Sequence, residues 1–184
     1  MVSADDKRIK ELVEISKGVL LSCALENGAV VAANSDKEYY PKEAYNYRYV
    51  WPRDAFFSLE AASILGLNIH RAYFRWLMQR AEDFSKDGLL LQCYYTNGQK
   101  RWHNLQPDSN ALSILAIDNF MKRQGETDKD LLGLIKKLSE GLCNVWDRNH
   151  FVTETQDMWE HRFTFSDIED NFTVSLAACY RALR

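Results

Sequence analysis

The 184-residue sequence contains no uninterrupted apolar run of the roughly 18 residues that a membrane-spanning helix needs. Its first residues, from Met1 to Asp6, lack the basic start and apolar stretch of a secretory signal peptide. Basic residues are scattered rather than clustered, and the formal net charge is −3, which argues against nucleic acid as a partner. The sequence therefore predicts a soluble, cytoplasmic protein that binds neither a membrane nor nucleic acid.

The sequence also lacks closely spaced cysteines. Its four cysteines form no Cys-x-x-Cys pair, which argues against a zinc site and against a compact disulfide framework. We expect buried free thiols, because an unpaired cysteine behaves as a small apolar residue. The positions concerned are Cys23, Cys93, Cys143 and Cys179.

Apolar residues form 46% of the sequence, enough for one core, so residues 1–184 are predicted to form a single domain. The spacing of apolar residues predicts six helices, with a small β-hairpin around a turn at 96–99 between the third and the fourth. The predicted helices cover approximately residues 5–25, 54–65, 69–84, 108–123, 128–146 and 171–184. Their expected N-caps include Asp54, Asn68, Asp108 and either Asp170 or Asn171.

Helices with a polar face alternate with more apolar helices, and a long loop precedes each apolar one. This alternation predicts an all-α fold of the α/α toroid class, in which the apolar helices line an inner ring and their preceding loops meet at one mouth. An ordinary helical bundle is the alternative, because apolar periodicity alone does not distinguish the two folds.

Each loop before an apolar helix contains a tryptophan followed by an acidic residue. Carbohydrate sites combine these residue types, because an indole ring covers the apolar face of a sugar while carboxylates, amides and guanidinium groups bind its hydroxyls. Taken singly, these residues would also suit helix caps, core positions, surface positions or a structural ion pair. Their repetition favours a sugar site with Glu160 as the candidate acid. The three sets are Trp51 with Arg53 and Asp54, Trp102 with Gln106 and Asp108, and Trp159 with Glu160.

Three segments resemble motifs of glycoside hydrolase family 15, which contains the glucoamylases, glucodextranases and related trehalases. Tyr47–Ala55 resembles the start of the family's first inner helix, Leu105–Asp108 its second substrate loop, and Asp157–Ser166 its general-acid segment. All three belong to the N-terminal half of the family's catalytic domain. Some members have a second glutamate at the position of His161, and its absence here resembles the bacterial and archaeal branch.

The resemblance implies an (α/α)6 barrel that hydrolyses terminal α-glucosidic bonds with inversion and needs no cofactor. It gives Glu160 the role of general acid, and Arg53 and Asp54 the role of binding the hydroxyls of the terminal glucose. Other candidate substrate contacts are the aromatic residues Tyr47, Trp51, Trp102 and Trp159 and the polar residues Gln106, Asp108 and Arg162.

An inverting glycosidase also needs a general base, which the family takes from the second half of its barrel and which we do not identify in this chain. Asp167, Glu169 and Asp170 lie near the acid in sequence, but position 170 or 171 is better explained as a helix cap. We therefore expect an incomplete domain of about six helices, inactive alone, whose open faces are covered by a second half-barrel chain or by a second copy.

Three functions remain open from the sequence. The first is an α-glucosidase acting on maltooligosaccharide, dextran or trehalose. The second is a non-catalytic sugar-binding or regulatory remnant of the family, and the third is a helical module without a ligand.

Overall fold

The computed structural model describes residues 4–165, 167 and 169–184; Ser166 of the predicted general-acid segment therefore lies outside the described residues. Within these ranges the chain forms seven helices and two short antiparallel hairpins. The helices are α1 Ala4–Cys23, α2 Pro52–Ile64, α3 His70–Arg80, α4 Phe84–Asp87, α5 Pro107–Gln124, α6 Lys129–Asn144 and α7 Thr173–Leu183. The strands are β1 Leu91–Tyr94, β2 Lys100–Leu105, β3 Trp146–Asp147 and β4 His150–Phe151.

The mostly helical architecture is confirmed, as is the hairpin between the third and fourth predicted helices. Its turn closes at Gly98, which has a φ of +96° and whose N–H donates to the carbonyl oxygen of Tyr95 at 2.9 Å. The single-turn helix α4 and the β3–β4 hairpin were not predicted. Their short lengths leave no apolar periodicity in the sequence to detect.

Four of the predicted helix caps are wrong, and proline explains the two that matter for function. Helices α2 and α5 each begin with a proline, which suits the first helical position because it lacks an N–H. The residue before a proline is held extended, so Trp51 and Gln106 become the N-caps. Asp54 and Asp108 lie inside the first turn and are free for other partners.

The other two expected caps also lie outside the observed helix starts. Ile69 rather than Asn68 precedes α3, and Phe172 precedes α7, so neither Asp170 nor Asn171 caps the last helix. Asp128 does cap α6, because its side chain accepts hydrogen bonds from the backbone N–H groups of Asp130 and Leu131.

Helix α5 is the centre of the fold and packs against α2, α6 and α7. The buried side chain of Asn110 ties its first turn to the neighbouring elements. Its amide nitrogen donates to the carbonyl oxygens of Gly88, at 2.7 Å, and Leu138, at 3.0 Å, and its oxygen accepts from the N–H of Leu90 at 2.7 Å. These bonds hold the start of α5 in place, and therefore also the positions of Gln106 and Asp108.

Burial does not follow the predicted alternation throughout. Helix α7 was expected to be an inner helix, yet only Ser175 and Cys179 are buried in it. Helix α1 also leaves most of its apolar side chains exposed. The exposed residues on these two helices include Ile9, Leu12, Ile15, Val19, Val174, Tyr180 and Leu183. Neighbouring exposed apolar side chains of this kind are typical of surfaces that pack against another element.

Three of the four cysteines are buried free thiols as predicted, whereas Cys143, near the end of α6, is exposed. No helix in the described part of the chain combines the length and the hydropathy that crossing a membrane requires.

Candidate functional site

Arg53 joins the three loops that the sequence singled out. Its Nη1 donates to Gln106 Oε1 at 3.1 Å and to Asp108 Oδ2 at 3.0 Å. Its Nη2 donates to Glu160 Oε1 at 3.4 Å. The first turn of α2, the start of α5 and the loop before α7 therefore meet at one guanidinium group.

A cleft of about 300 Å³ opens at this meeting point. Its walls bring together most of the predicted site residues, namely Tyr47, Trp51, Arg53, Asp54, Trp159 and Glu160. Ala32, Phe57 and Met158 complete the lining and were not predicted. Phe57 follows Arg53 by one helical turn, so its place on the same face of α2 could have been read from the sequence.

Three aromatic rings form a continuous row, of which Tyr47 and Trp51 line the cleft and Trp102 lies beyond it. The ring centres of Tyr47 and Trp51 are 5.8 Å apart, and those of Trp51 and Trp102 are 5.6 Å apart. Trp51 is buried, whereas Trp102 and Trp159 are exposed, Trp159 to 68%. Exposed indole rings beside polar groups suit the stacking of a sugar ring.

Gln106 and Asp108 lie behind Arg53 rather than at the cleft surface. Their exposed fractions are 0% and 1%, so solvent does not reach them in this structure. Both accept hydrogen bonds from Arg53, and Gln106 Nε2 also donates to the carbonyl oxygen of Asp157 at 3.0 Å. Both side chains therefore orient Arg53, and Gln106 also contacts the loop that carries Glu160.

The loop that carries Glu160, here called the acid loop, is folded around the buried carboxylate of Asp157. Asp157 Oδ1 accepts from the backbone N–H groups of His161, at 2.9 Å, and Arg162, at 3.1 Å. The carbonyl oxygen of Asp157 accepts from the N–H of Glu160 at 3.0 Å. Glu160 has a φ of +62°, a conformation that costs energy for a residue with a side chain and often occurs at functional sites.

Burial alone would raise the pKa of Asp157, but the hydrogen bonds from the N–H groups of His161 and Arg162 outweigh it. Together with the Arg162 guanidinium, they hold the pKa of this carboxyl below its ordinary value of 3.8. A lowered folded-state pKa stabilises the fold above the unfolded-state value, and this contribution is lost as the pH falls through the folded-state pKa.

We expect Asp157→Asn to remove that acid-sensitive contribution. The free energy of unfolding of the variant, measured by urea denaturation from pH 7 down to pH 2, should fall less steeply below pH 3.8 than that of the unmodified protein. Asp147→Asn, at an exposed position in β3, is the control and should leave the slope unchanged. Equal slopes for all three proteins would contradict the assigned role of Asp157.

The pKa of the Asp54 carboxyl is raised, whereas that of Asp157 is lowered. Crowding by the surrounding protein removes part of its hydration and raises its pKa, although the residue keeps contact with solvent. The charge of Arg53 opposes the shift, and that of Glu160 adds to it. Two carboxyl groups with different surroundings therefore share the cleft with one guanidinium.

Arg162 is separated from the cleft. Its Nε donates to Asp157 Oδ2 at 3.0 Å, and its guanidinium carbon lies 5.3 Å from the ring centre of Phe172. The side chain braces the acid loop from the outer side. No group of three or more His, Cys, Asp and Glu side chains in the described ranges could hold a metal ion.

The fold and the cleft define a helical domain with the residue types of a sugar-binding site. No family model matches the chain. The chain is 26% identical over 175 residues to an uncharacterized glycosyl hydrolase of Methanocaldococcus jannaschii, covering 90% of this chain and 24% of that protein.

Two solved glycosidase structures share the fold. A glutamate-to-alanine variant superposes on all of this chain with a TM-score of 0.75 and 19% identity, and a wild-type glycosidase with a TM-score of 0.68 and 18% identity. The chain covers 51% of each of those chains. It therefore spans about half the length of the solved glycosidases and about a quarter of the curated relative.

Proposed function

We propose that this chain is the acid-bearing half of a glucoamylase-like inverting α-glucosidase. The substrate is the terminal α-glucosidic bond of an oligosaccharide, a polysaccharide or trehalose. The observation that carries the proposal is the convergence of Arg53, Asp54 and Glu160 in one tryptophan-lined cleft, because Glu160 is more than 100 residues away from the other two in the sequence. The names of the similar proteins support glycoside hydrolysis in general.

In the proposed reaction the protonated carboxyl of Glu160 donates its proton to the oxygen of the leaving sugar. Arg53 and Asp54 bind hydroxyls of the terminal glucose. A guanidinium carries five N–H donors, so the bonds of Arg53 to Gln106, Asp108 and Glu160 leave donors for the sugar. Trp51 and Trp102 cover the apolar face of the sugar near the bond that breaks.

The general base would come from the complementary half of the domain. Inversion requires a second carboxylate about 6.5–9.5 Å from the acid, which activates a water on the opposite face of the sugar. The complement would also close the α/α toroid and cover the exposed apolar side chains of α1 and α7. We favour a complementary half over a second copy because the chain covers 51% of each solved glycosidase chain.

The test is to measure glucose released from maltooligosaccharide, dextran and trehalose by this chain alone, by the complementary half alone, and by the mixture. We expect release from at least one substrate by the mixture only. Sugar binding without glucose release would favour the non-catalytic remnant, and activity restored by a second copy of this chain would overturn the assignment of the base to a complement.

A further inference from the structure

Arg101 occupies a β-bulge in the hairpin beside the cleft. Cys93 pairs with Trp102, and the next residue of β1, Tyr94, pairs with Lys100, so Arg101 is the additional residue of β2. Neighbouring side chains in a regular strand point to opposite faces, whereas a bulge redirects a side chain. The redirected guanidinium carbon lies 4.6 Å from the ring centre of Trp102.

Three aromatic rings surround this guanidinium group. Its carbon is 3.9 Å from the ring centre of Tyr49 and 5.7 Å from that of Tyr95, in addition to its contact with Trp102. Stacking uses the face of a guanidinium and leaves the N–H groups at its edge able to bind an acceptor. The aromatic contacts therefore hold Arg101 in place without occupying its hydrogen-bonding capacity.

Arg101 also lacks a counter-ion. Its neighbour Lys100 pairs with Glu82 and Asp83, whereas Arg101 forms no ion pair with any residue that the structure describes. Its Nε is buried and has no hydrogen-bond partner among the same residues. A partly desolvated cation without an acidic partner is stabilised when an anion binds it.

The three rings around Arg101, those of Tyr49, Tyr95 and Trp102, lie next to the cleft. Trp102 contacts Trp51, which lines the cleft, and both Trp102 and Tyr95 are exposed, to 39% and 41%. A sugar that extends past Trp51 would meet the ring of Trp102 and then the guanidinium of Arg101. The proposed hydrolysis makes no use of either Arg101 or Tyr95.

We propose that Arg101, with Trp102 and Tyr95, binds an anionic group on the sugar next to the one held in the cleft. The group is a carboxylate, as in a uronic acid, or a phosphate ester, since a guanidinium binds either with two parallel hydrogen bonds. The inference rests on the proposed function, because that function places a substrate in the cleft. The Arg101 site would make the enzyme selective for substrates whose leaving sugar is negatively charged.

The test is a binding measurement by calorimetry on the assembled domain carrying Glu160→Gln, which prevents turnover. The ligands are maltose and two counterparts whose reducing-end sugar is a glucuronate or a glucose 6-phosphate. We expect at least one charged ligand to bind roughly 10- to 100-fold more tightly than maltose, with the advantage shrinking as salt is added. The charged ligand that binds more tightly shows whether the site prefers a carboxylate or a phosphate ester.

Arg101→Gln should remove this advantage, while Arg101→Lys should retain part of it. Lys100→Gln is the matched control, because it removes the neighbouring charge, which is already paired. Equal affinities for maltose and both charged ligands in the unmodified site would overturn the inference, whatever the variants do. A different outcome is possible for the assembled domain that retains Glu160. If it prefers the charged ligand but hydrolyses no substrate, the result counts against the proposed function and not against this inference.

Discussion

Replacing Glu160 with glutamine is expected to lower kcat of the assembled domain by roughly 10²- to 10⁴-fold. Glutamine keeps the size of the side chain and still offers an oxygen to Arg53 Nη2, which lies 3.4 Å from the carboxylate. It cannot donate the proton that the leaving sugar requires. KM should therefore change little, because the loss falls on the transition state rather than on substrate binding.

The control for this substitution is Glu154→Gln, which removes an exposed carboxylate from the same connection between β4 and α7. Its kcat should stay within about two-fold of the unmodified value. A Glu160→Gln domain that kept full kcat would remove Glu160 from the role of general acid, even if the cleft still bound sugar.

Arg53→Met is expected to lower the free energy of unfolding by about 3–5 kcal/mol, because it leaves the carboxylate of Asp108 buried without a partner. The two side chains are 11% and 2% exposed, and their atoms are 3.0 Å apart. The double variant Arg53→Met with Asp108→Leu should recover most of the loss, since it removes both charges from the interior. Urea denaturation of the four proteins of this cycle measures the interaction.

The matched control is Arg123→Met, which breaks the ion pair with Glu60 at the other end of the α2–α5 contact. Arg123 is 41% exposed, so water compensates for its removal, and the loss should be below about 1 kcal/mol. If Arg53→Met cost no more than Arg123→Met, the buried network around Arg53 would not be the structural centre of the site.

The sequence was sufficient to predict six of the residues that line the cleft, whereas Ala32, Phe57 and Met158 were not predicted. Trp51, Arg53 and Glu160 could be identified because each belongs to a short motif at or before the predicted start of a helix, and such motifs are local in sequence. The helices that carry them were also predictable from apolar spacing. Two of the four wrong caps have a common cause, because Pro52 and Pro107 each place the start of a helix ahead of the aspartate predicted to cap it.

Features that depend on three-dimensional packing were not predictable. The complete burial of Gln106 and Asp108 depends on how α5 packs below the acid loop, so both were expected to contact the sugar directly. The position of Arg101 depends on one additional residue in β2, which changes the side of the strand without changing the residue pattern. The exposure of α7 depends on what packs against it, and apolar spacing within the helix does not show that.

The central proposal is that this chain supplies the acid half of an active site whose base lies in a complementary half. It is tested most directly by measuring the rate of glucose release while that half is titrated into a fixed concentration of this chain. We predict no release by the chain alone and a rate that rises to a plateau at one complement per chain. A chain that releases glucose by itself at the plateau rate would contradict the proposal.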